Sequence, residues 1–456
     1  MENKQSISDI LQLMTQQDTE KVKLAITDID GVLRGKVVSF EKFRAVAEKG
    51  FGFCDVVFGW DAADLAYDNA RVTGWHTGYP DAQAVVDIGT FRQVPWENDL
   101  PFFLADFSDA AGHDLAVCPR RLLKRMAAQA REAGYLPFFS QEFEWFNFRN
   151  NSDELYREGF ARLQPMTHGM FGYSVLRASQ QGAFFHDLFD LLKKFNIPLE
   201  GIHTETGPGV YEAAILYAEL PEAADRAVLF KSGVKEIAHR HGLIASFMAK
   251  FNEQLPGCSG HVHQSLWSAD KERNLFYDRE NKHGMSSIME HYIAGQLFCL
   301  PHLLPMYAPT VNSYKRLVEG AWAPTTLTWG IDNRTTALRA LPGSSTSTRL
   351  ETRVVGSDAN PYLAMAGCLA SGLYGIRHQL PLTTAPTTGS GYADKKNGTL
   401  PRNLWESTQA MKASAVAREL FGDAFVDHFT GTREWEWKQF EKAVTSWELK
   451  RYLEII

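Results

Sequence analysis

"YLPFFSQEFEWFNF", residues 135–148, alternates polar and bulky apolar side chains through its second half. That period of two predicts a strand. Glu142 and Glu144 stand two apart, so both project from one face. Two carboxylates held side by side among apolar neighbours repel each other and lose hydration. A solvated strand face accommodates such a pair, and so does a divalent cation. The rest of the chain decides between them.

Three further segments carry chemistry at the same spacing. "HTETGPGVYEAA" (203–214) sets Glu205 and Glu212 across a Gly-Pro-Gly turn. "GCSGHVHQSLW" (257–267) puts His261 and His263 on one strand face, and "RLETRVVG" (349–356) does the same for Arg349, Glu351 and Arg353. Together these are four strands presenting carboxylate, imidazole or guanidinium at period two. Hard oxygen ligands with few nitrogens suit Mg²⁺ or Mn²⁺ better than zinc. The surplus arginines suit phosphate, which a guanidinium binds as a fork.

Composition excludes several classes. The 456 residues are 45% hydrophobic and 22% charged, with a formal net charge of -7. That is globular, with no basic footprint for nucleic acid. The opening "MENKQSISDI" has no signal-peptide character, and no apolar run reaches membrane-spanning length. The five cysteines are scattered, with no CxxC pair. A reduced, cytoplasmic setting is expected.

A polar helix is expected over the first 20 residues, then a hairpin in "LAITDIDGVLRGKVVSF" (24–40) around Gly31 and Gly35. "GVLRGKVV" has the wrong spacing for a phosphate loop. "DAQAVVDIGTFRQVPW" (81–96) reads as a strand pair, and the aromatic stretch "FGFCDVVFGWDAADLAYDN" (51–69) as a loop. These make a β-rich unit over 1–110, followed by a larger one over 111–456. Pro119 opens a helix that Gly134 ends. Two more helices are expected in 221–242 and 360–380, the latter well buried. "TTAPTTGSGYADKKNGTLP" (383–401) reads as a mobile loop.

The ordered segments "QEFEWF", "HTETGPGVYE", "SFMAKF…GCSGHVHQSL", "KRLVEGAWAPTTLTWGIDNRTTALR" and "RLETRVVGSDANPYLAMAGCLASGLYGI" resemble those of the glutamine synthetases, over roughly residues 25–375. The resemblance implies an α+β fold: an N-terminal β-grasp domain and a C-terminal catalytic domain on an antiparallel sheet. It implies stacked rings, expected as a dodecamer of two hexamers, with sites shared between subunits. It assigns Glu144, Glu205 and Glu212 to one metal and Glu142, His261 and Glu351 to a second. Gly257, Arg316 and Arg353 would grip glutamate. Arg334 and Arg339 would hold phosphates, and Ser265, His263 and Arg349 would meet ATP. Arg334, Arg316 and Glu205 would carry the catalytic role.

The departures bear on the substrate. The family's glutamate before the "AP" of "GYEAP" is Trp322 here, which accepts no proton. The family's ammonium-binding "FDGSS" loop is replaced by residues 53–69, where Asp55 takes the aspartate's place among Phe53, Phe58 and Trp60. The glutamine of GQxE is Val210. The regulatory tyrosine of "NLYDLP" gives way to Gly398 of "NGTLP", which removes adenylylation at that point. A pocket of Trp322, Asp55, Phe58 and Trp60 favours an apolar amine over ammonium; an alkylamine would need Asp55, Asp61 or Glu205 as base. The expected activity is ATP-dependent joining of glutamate to an alkyl or aromatic amine. Two alternatives are a glutamine synthetase using ammonia and a non-catalytic structural or regulatory relative.

Overall fold

The computed structural model describes residues 6–108 and 112–456, so the boundary placed at residue 110 lies outside the described residues. Two sheets organise the chain. The first has six strands, and its parallel centre is formed by Lys21–Thr27 beside Leu100–Ser108. The second has nine strands, all antiparallel except Trp329–Ile331 beside Leu338–Leu341. This is the α+β arrangement expected, with the β-grasp sheet first. Among the described residues no helix is long and apolar enough to cross a membrane.

In the first unit the helix forms over Ile7–Gln16, capped by Ser6. The hairpin forms as well, with Lys21–Thr27 against Leu33–Ser39. Its turn holds Gly31 at φ +82°, a region few side chains adopt. Two expectations fail. Asp81–Val86 and Arg92–Val94 do not pair with each other; both pair with Leu100–Ser108. That strand went unread because it is buried on both faces and shows no alternation. The aromatic stretch is also not all loop: Phe51–Cys54 is an edge strand and Asp55–Phe58 a short helical turn.

In the second unit the strand Tyr135–Phe148 is central. Gly260–Ser268 flanks it on one side and Val210–Ile215 on the other. Its buried face stacks Phe143 on Phe230 at 5.5 Å and packs Trp145 against Tyr211 and Phe247. Phe230 belongs to the helix Glu222–Arg240. The alternation therefore sends Glu142 and Glu144 out of the opposite face. The helices Pro119–Glu132 and Pro361–Arg377 form as expected. Segment 383–401 is irregular but pinned: the Thr387 N–H donates to Trp329 O and the Gly391 N–H to Thr335 Oγ1.

Arg120 fastens the two units. It is 2% exposed and donates two hydrogen bonds to Asp106 on the first sheet and two to Asp225 on the helix Glu222–Arg240.

Candidate active site

Register, not alternation, brings the chemical groups together. His261 pairs with Glu142, and Glu144 pairs with Glu212. His263 and Arg339 both pair with Glu351. The turn before Glu212 depends on Gly209, at φ +71°, where a Cβ would meet Asn147 O at 2.6 Å.

A cavity of about 380 Å³ lies over this face. It is walled by Glu142, Glu144, Glu205, Glu212, His261 and Glu351, by Arg334, Arg339 and Arg353, and by Thr206, Tyr173 and Trp322. A second cavity, of about 300 Å³, takes in Ser265, Trp267, Phe138 and Arg349. Glu142 lines both, and His263, which lines the second, bonds to it. Arg349 Nε donates to His263 Nδ1 at 3.3 Å, so His263 Nε2–H donates to Glu142 Oε2 at 2.8 Å.

Electrostatics test whether a cation fits. His203, Glu205 and Glu212 bring ligand atoms within 4.8 Å of one another. A cation with ligands at about 2.1 Å keeps them within about 4.2 Å, a small closure away. Burial, then the neighbouring Glu142, raises the Glu212 carboxyl far above its ordinary range. Burial also raises Glu144, against the hydrogen bonds from Ser259 N–H (2.8 Å) and Oγ (2.6 Å). His261 Nδ1 lies 3.2 Å from Glu351, while its Nε2 is buried without a hydrogen-bond partner. Burial and Arg353 hold His261 neutral, so that nitrogen keeps its lone pair. An acid-rich pocket with an orphaned imidazole nitrogen fits hard divalent cations. Glu351, which burial alone would raise, is held down to about 2 chiefly by the Arg353 guanidinium, with Arg339 adding to it.

The arginines divide by availability. Arg353 bonds Glu351 at 2.5 Å and the Arg334 carbonyl at 3.0 Å. Arg339 bonds Glu351 at 2.9 Å and Asp332. Among the described residues the Arg334 guanidinium has no hydrogen-bond or ion-pair partner, so it is free at the wall. Arg316 lies behind the wall. It is 2% exposed and donates to the carbonyls of Val354 and Arg353, so it props the Arg353 backbone and does not reach the cavity. Gly257 lies against it, where a Cβ would meet Ala249 O at 2.4 Å.

The expected amine pocket is only partly present within one chain. Trp322 lines the cavity at its mouth, 60% exposed, on a left-handed backbone (φ +60°). Glu319, three residues before Trp322, pairs with Lys395 at 2.8 Å and does not line the cavity. Phe58 is fully buried against Phe107, because its turn packs into the first sheet's core, and so cannot line a pocket. Asp55 accepts from Thr73, Trp60 lies under Arg34 and Asp61 accepts from Trp435; none lines either cavity. Two residues were missed. His203 shares the period-two spacing with Glu205, a signal in plain view. Tyr173 stacks on His203 at 4.4 Å from a segment with no periodicity to mark it.

An antiparallel sheet carrying paired carboxylates and histidines beside phosphate-ready arginines defines a carboxylate-activating ligase class. The catalytic-domain model of glutamine synthetase matches residues 116–452. The chain belongs to the glutamine synthetase family. It is 52% identical over 438 residues to type-1 glutamine synthetase 2 of Dictyostelium discoideum, covering 95% of this chain and 84% of that one. It is 35% identical over 458 residues to a glutamate–isopropylamine ligase of a Pseudomonas species, covering 100% and 99%. The solved structure "GmaS/ADP complex-Conformation 1" superposes with a TM-score of 0.85 at 27% identity, over 98% of this chain and all of that one.

Proposed function

We propose that the protein is an ATP-dependent glutamate–amine ligase, acting on an alkyl or aromatic amine through a γ-glutamyl phosphate. One observation carries the choice of amine: Trp322 offers the cavity an indole, while Glu319, the acid nearest to it along the chain, pairs with Lys395 and does not line the cavity. The relatives are named for both chemistries. The glutamate–isopropylamine ligase and a gamma-glutamylethanolamide synthetase of Streptomyces coelicolor, each 35% identical, support an organic amine. The Dictyostelium protein supports ammonia as the second reading.

In this reading ATP enters the Ser265–Arg349 cavity with its phosphates toward Arg334 and Arg339. Glu144, Glu205, Glu212 and His203 would hold one divalent cation and Glu142, His261 and Glu351 a second, and such ions would supply charge neutralisation at the phosphates. Arg353 orients the glutamate, and the free Arg334 meets charge developing on the transferred phosphoryl group. The γ-carboxylate attacks the γ-phosphorus and ADP leaves. The amine nitrogen then displaces phosphate from the acyl carbon, its N–H proton leaving with the phosphate, to give the γ-glutamylamide. Trp322 and Tyr173 line that end of the cavity. A weakly basic aromatic amine arrives neutral, whereas an alkylamine gives its proton to Glu205.

Asp55 and Trp60 would join this site only from a neighbouring subunit. The reading therefore includes a ring assembly, taken as two stacked hexamers, and light scattering on the eluted protein tests it. Phosphate release with glutamate, ATP and a panel of amines tests the activity. Organic amines are expected to exceed ammonium in kcat/KM; higher turnover per molar with ammonium would reject the assignment.

A further inference from the structure

Trp322 is held by the chain around it. Its backbone is left-handed (φ +60°), and among the described residues its exposed ring contacts no other aromatic ring. Ala323, next to it, is buried, and from Thr325 onward this loop is laced to residues 391–400. The Leu400 N–H donates to Thr325 O at 2.9 Å and the Leu327 N–H to Gly398 O at 3.1 Å. Thr326 Oγ1 donates to Gly391 O at 2.8 Å. The Glu319–Lys395 pair is exposed on both sides, so it adds little.

The same segment reaches the arginine wall of the cavity. The Gly391 N–H donates to Thr335 Oγ1 at 2.7 Å, and Asn333 Nδ2 donates to Gly389 O at 2.9 Å. Asn333 and Thr335 flank Arg334. Gly391 leaves no room for a side chain, because a Cβ there would meet Thr335 O at 2.4 Å. Tyr392, the next residue, is therefore fixed from one side by the Arg334 turn and from the other by the Trp322 loop.

Tyr392 and Trp322 each carry a polar group that nothing answers. The Tyr392 hydroxyl is sealed from solvent without a hydrogen-bond partner. Among the described residues the Trp322 N–H also makes no hydrogen bond. The two are neighbours: burial raises the Tyr392 hydroxyl above its ordinary range, and the Trp322 N–H works against that, followed by Arg353 and Arg316. A sealed hydroxyl and an open N–H side by side both gain when the gap between them closes. Tyr392 does not line the cavity, so it acts only through a residue that does. We infer that Tyr392 is a positioning residue for amine selection: when the amine is seated, its hydroxyl accepts the Trp322 N–H and sets the indole across the cavity mouth. This rests on the reading of the protein as a glutamate–amine ligase.

Tyr392→Phe in the full-length enzyme tests it, by phosphate release with glutamate, ATP and propylamine. The KM for propylamine is expected to rise about three- to tenfold, the worth of one hydrogen bond, with kcat and the KM for ATP within about twofold. Because the hydroxyl has no partner in the free protein, the thermal midpoint of Tyr392→Phe is expected to equal or exceed that of wild type; a merely structural tyrosine would lower it. Added to Trp322→Ala, Tyr392→Phe is expected to change the propylamine KM no further. Hydrogen exchange at the Trp322 amide, read by fragmentation mass spectrometry, needs no turnover. With glutamate, a non-hydrolysable ATP analogue and propylamine or ammonium, exchange in wild type is expected to slow at least about fivefold, and in Tyr392→Phe less than about twofold. Equal slowing in both proteins would overturn the proposal. So would a rise in the glutamate KM in place of the amine KM, which would give the hydroxyl to Arg353. A wild type that prefers ammonium to every organic amine rejects the ligase reading instead, and the exchange at Trp322 still decides the role of Tyr392.

Discussion

Replacing Trp322 by alanine tests the amine assignment most directly. A tryptophan has about 250 Å² to bury, so the 60% exposure of Trp322 leaves about 150 Å² open to a ligand. An alkyl group of three or four carbons covers about a third of that, or roughly 50 Å², worth about 1.2 kcal/mol at 25 cal/mol/Å². The amine hides a comparable area of its own, so the contact totals about 2.5 kcal/mol at most. At 1.36 kcal/mol per decade, Trp322→Ala should raise the KM for such an amine about 10- to 70-fold. The KM values for glutamate and ATP should stay within about threefold, since those ligands are assigned to the arginine and Ser265 walls. The assay is phosphate release with methyl-, ethyl-, propyl- and butylamine, each titrated at saturating glutamate and ATP. Wild type should gain affinity with each methylene, and the variant should show a flat series. An unchanged gain per methylene in Trp322→Ala would refute the reasoning, because the apolar contact would then lie elsewhere.

Three other outcomes follow from the structure. Glu351→Ala should reduce ATP turnover by at least about 100-fold, since it removes one oxygen ligand and releases Arg339, Arg353 and His261 together; turnover that survives would reject the site. Arg120→Met should lower stability by about 3–5 kcal/mol, seen as a lower thermal midpoint, because it leaves the Asp106 and Asp225 carboxylates buried and unpaired. Burial, then Arg433, lowers His428 to about 4, so the unfolded chain takes up a proton there before the folded one does. Its contribution to stability is therefore lost as pH falls from about 6.5 to about 4; the thermal midpoint of His428→Phe should fall less across that window than wild type's.

Alternation in residues 135–148 was enough to place Glu142 and Glu144 on one face, because a strand turns each successive side chain over regardless of its surroundings. Proline and glycine punctuation similarly marked the helix Pro119–Glu132, since both act on the local backbone. The same rule holds for His203 beside Glu205. Other features had no local signal. Leu100–Ser108 is buried on both faces and carries no period. Phe58 and Arg316 are of the right residue types for a site, but burial put one in the first core and turned the other toward backbone carbonyls.

The sequence by itself therefore determined which side chains share a face, and that indole stands where a carboxylate is expected. Only the tertiary structure decided which faces meet: His261 beside Glu142, Glu144 beside Glu212, Arg339 and His263 beside Glu351. Side-chain direction is a property of each residue's own dihedral angles. Register is fixed between strands up to 133 residues apart, by packing that no single segment records.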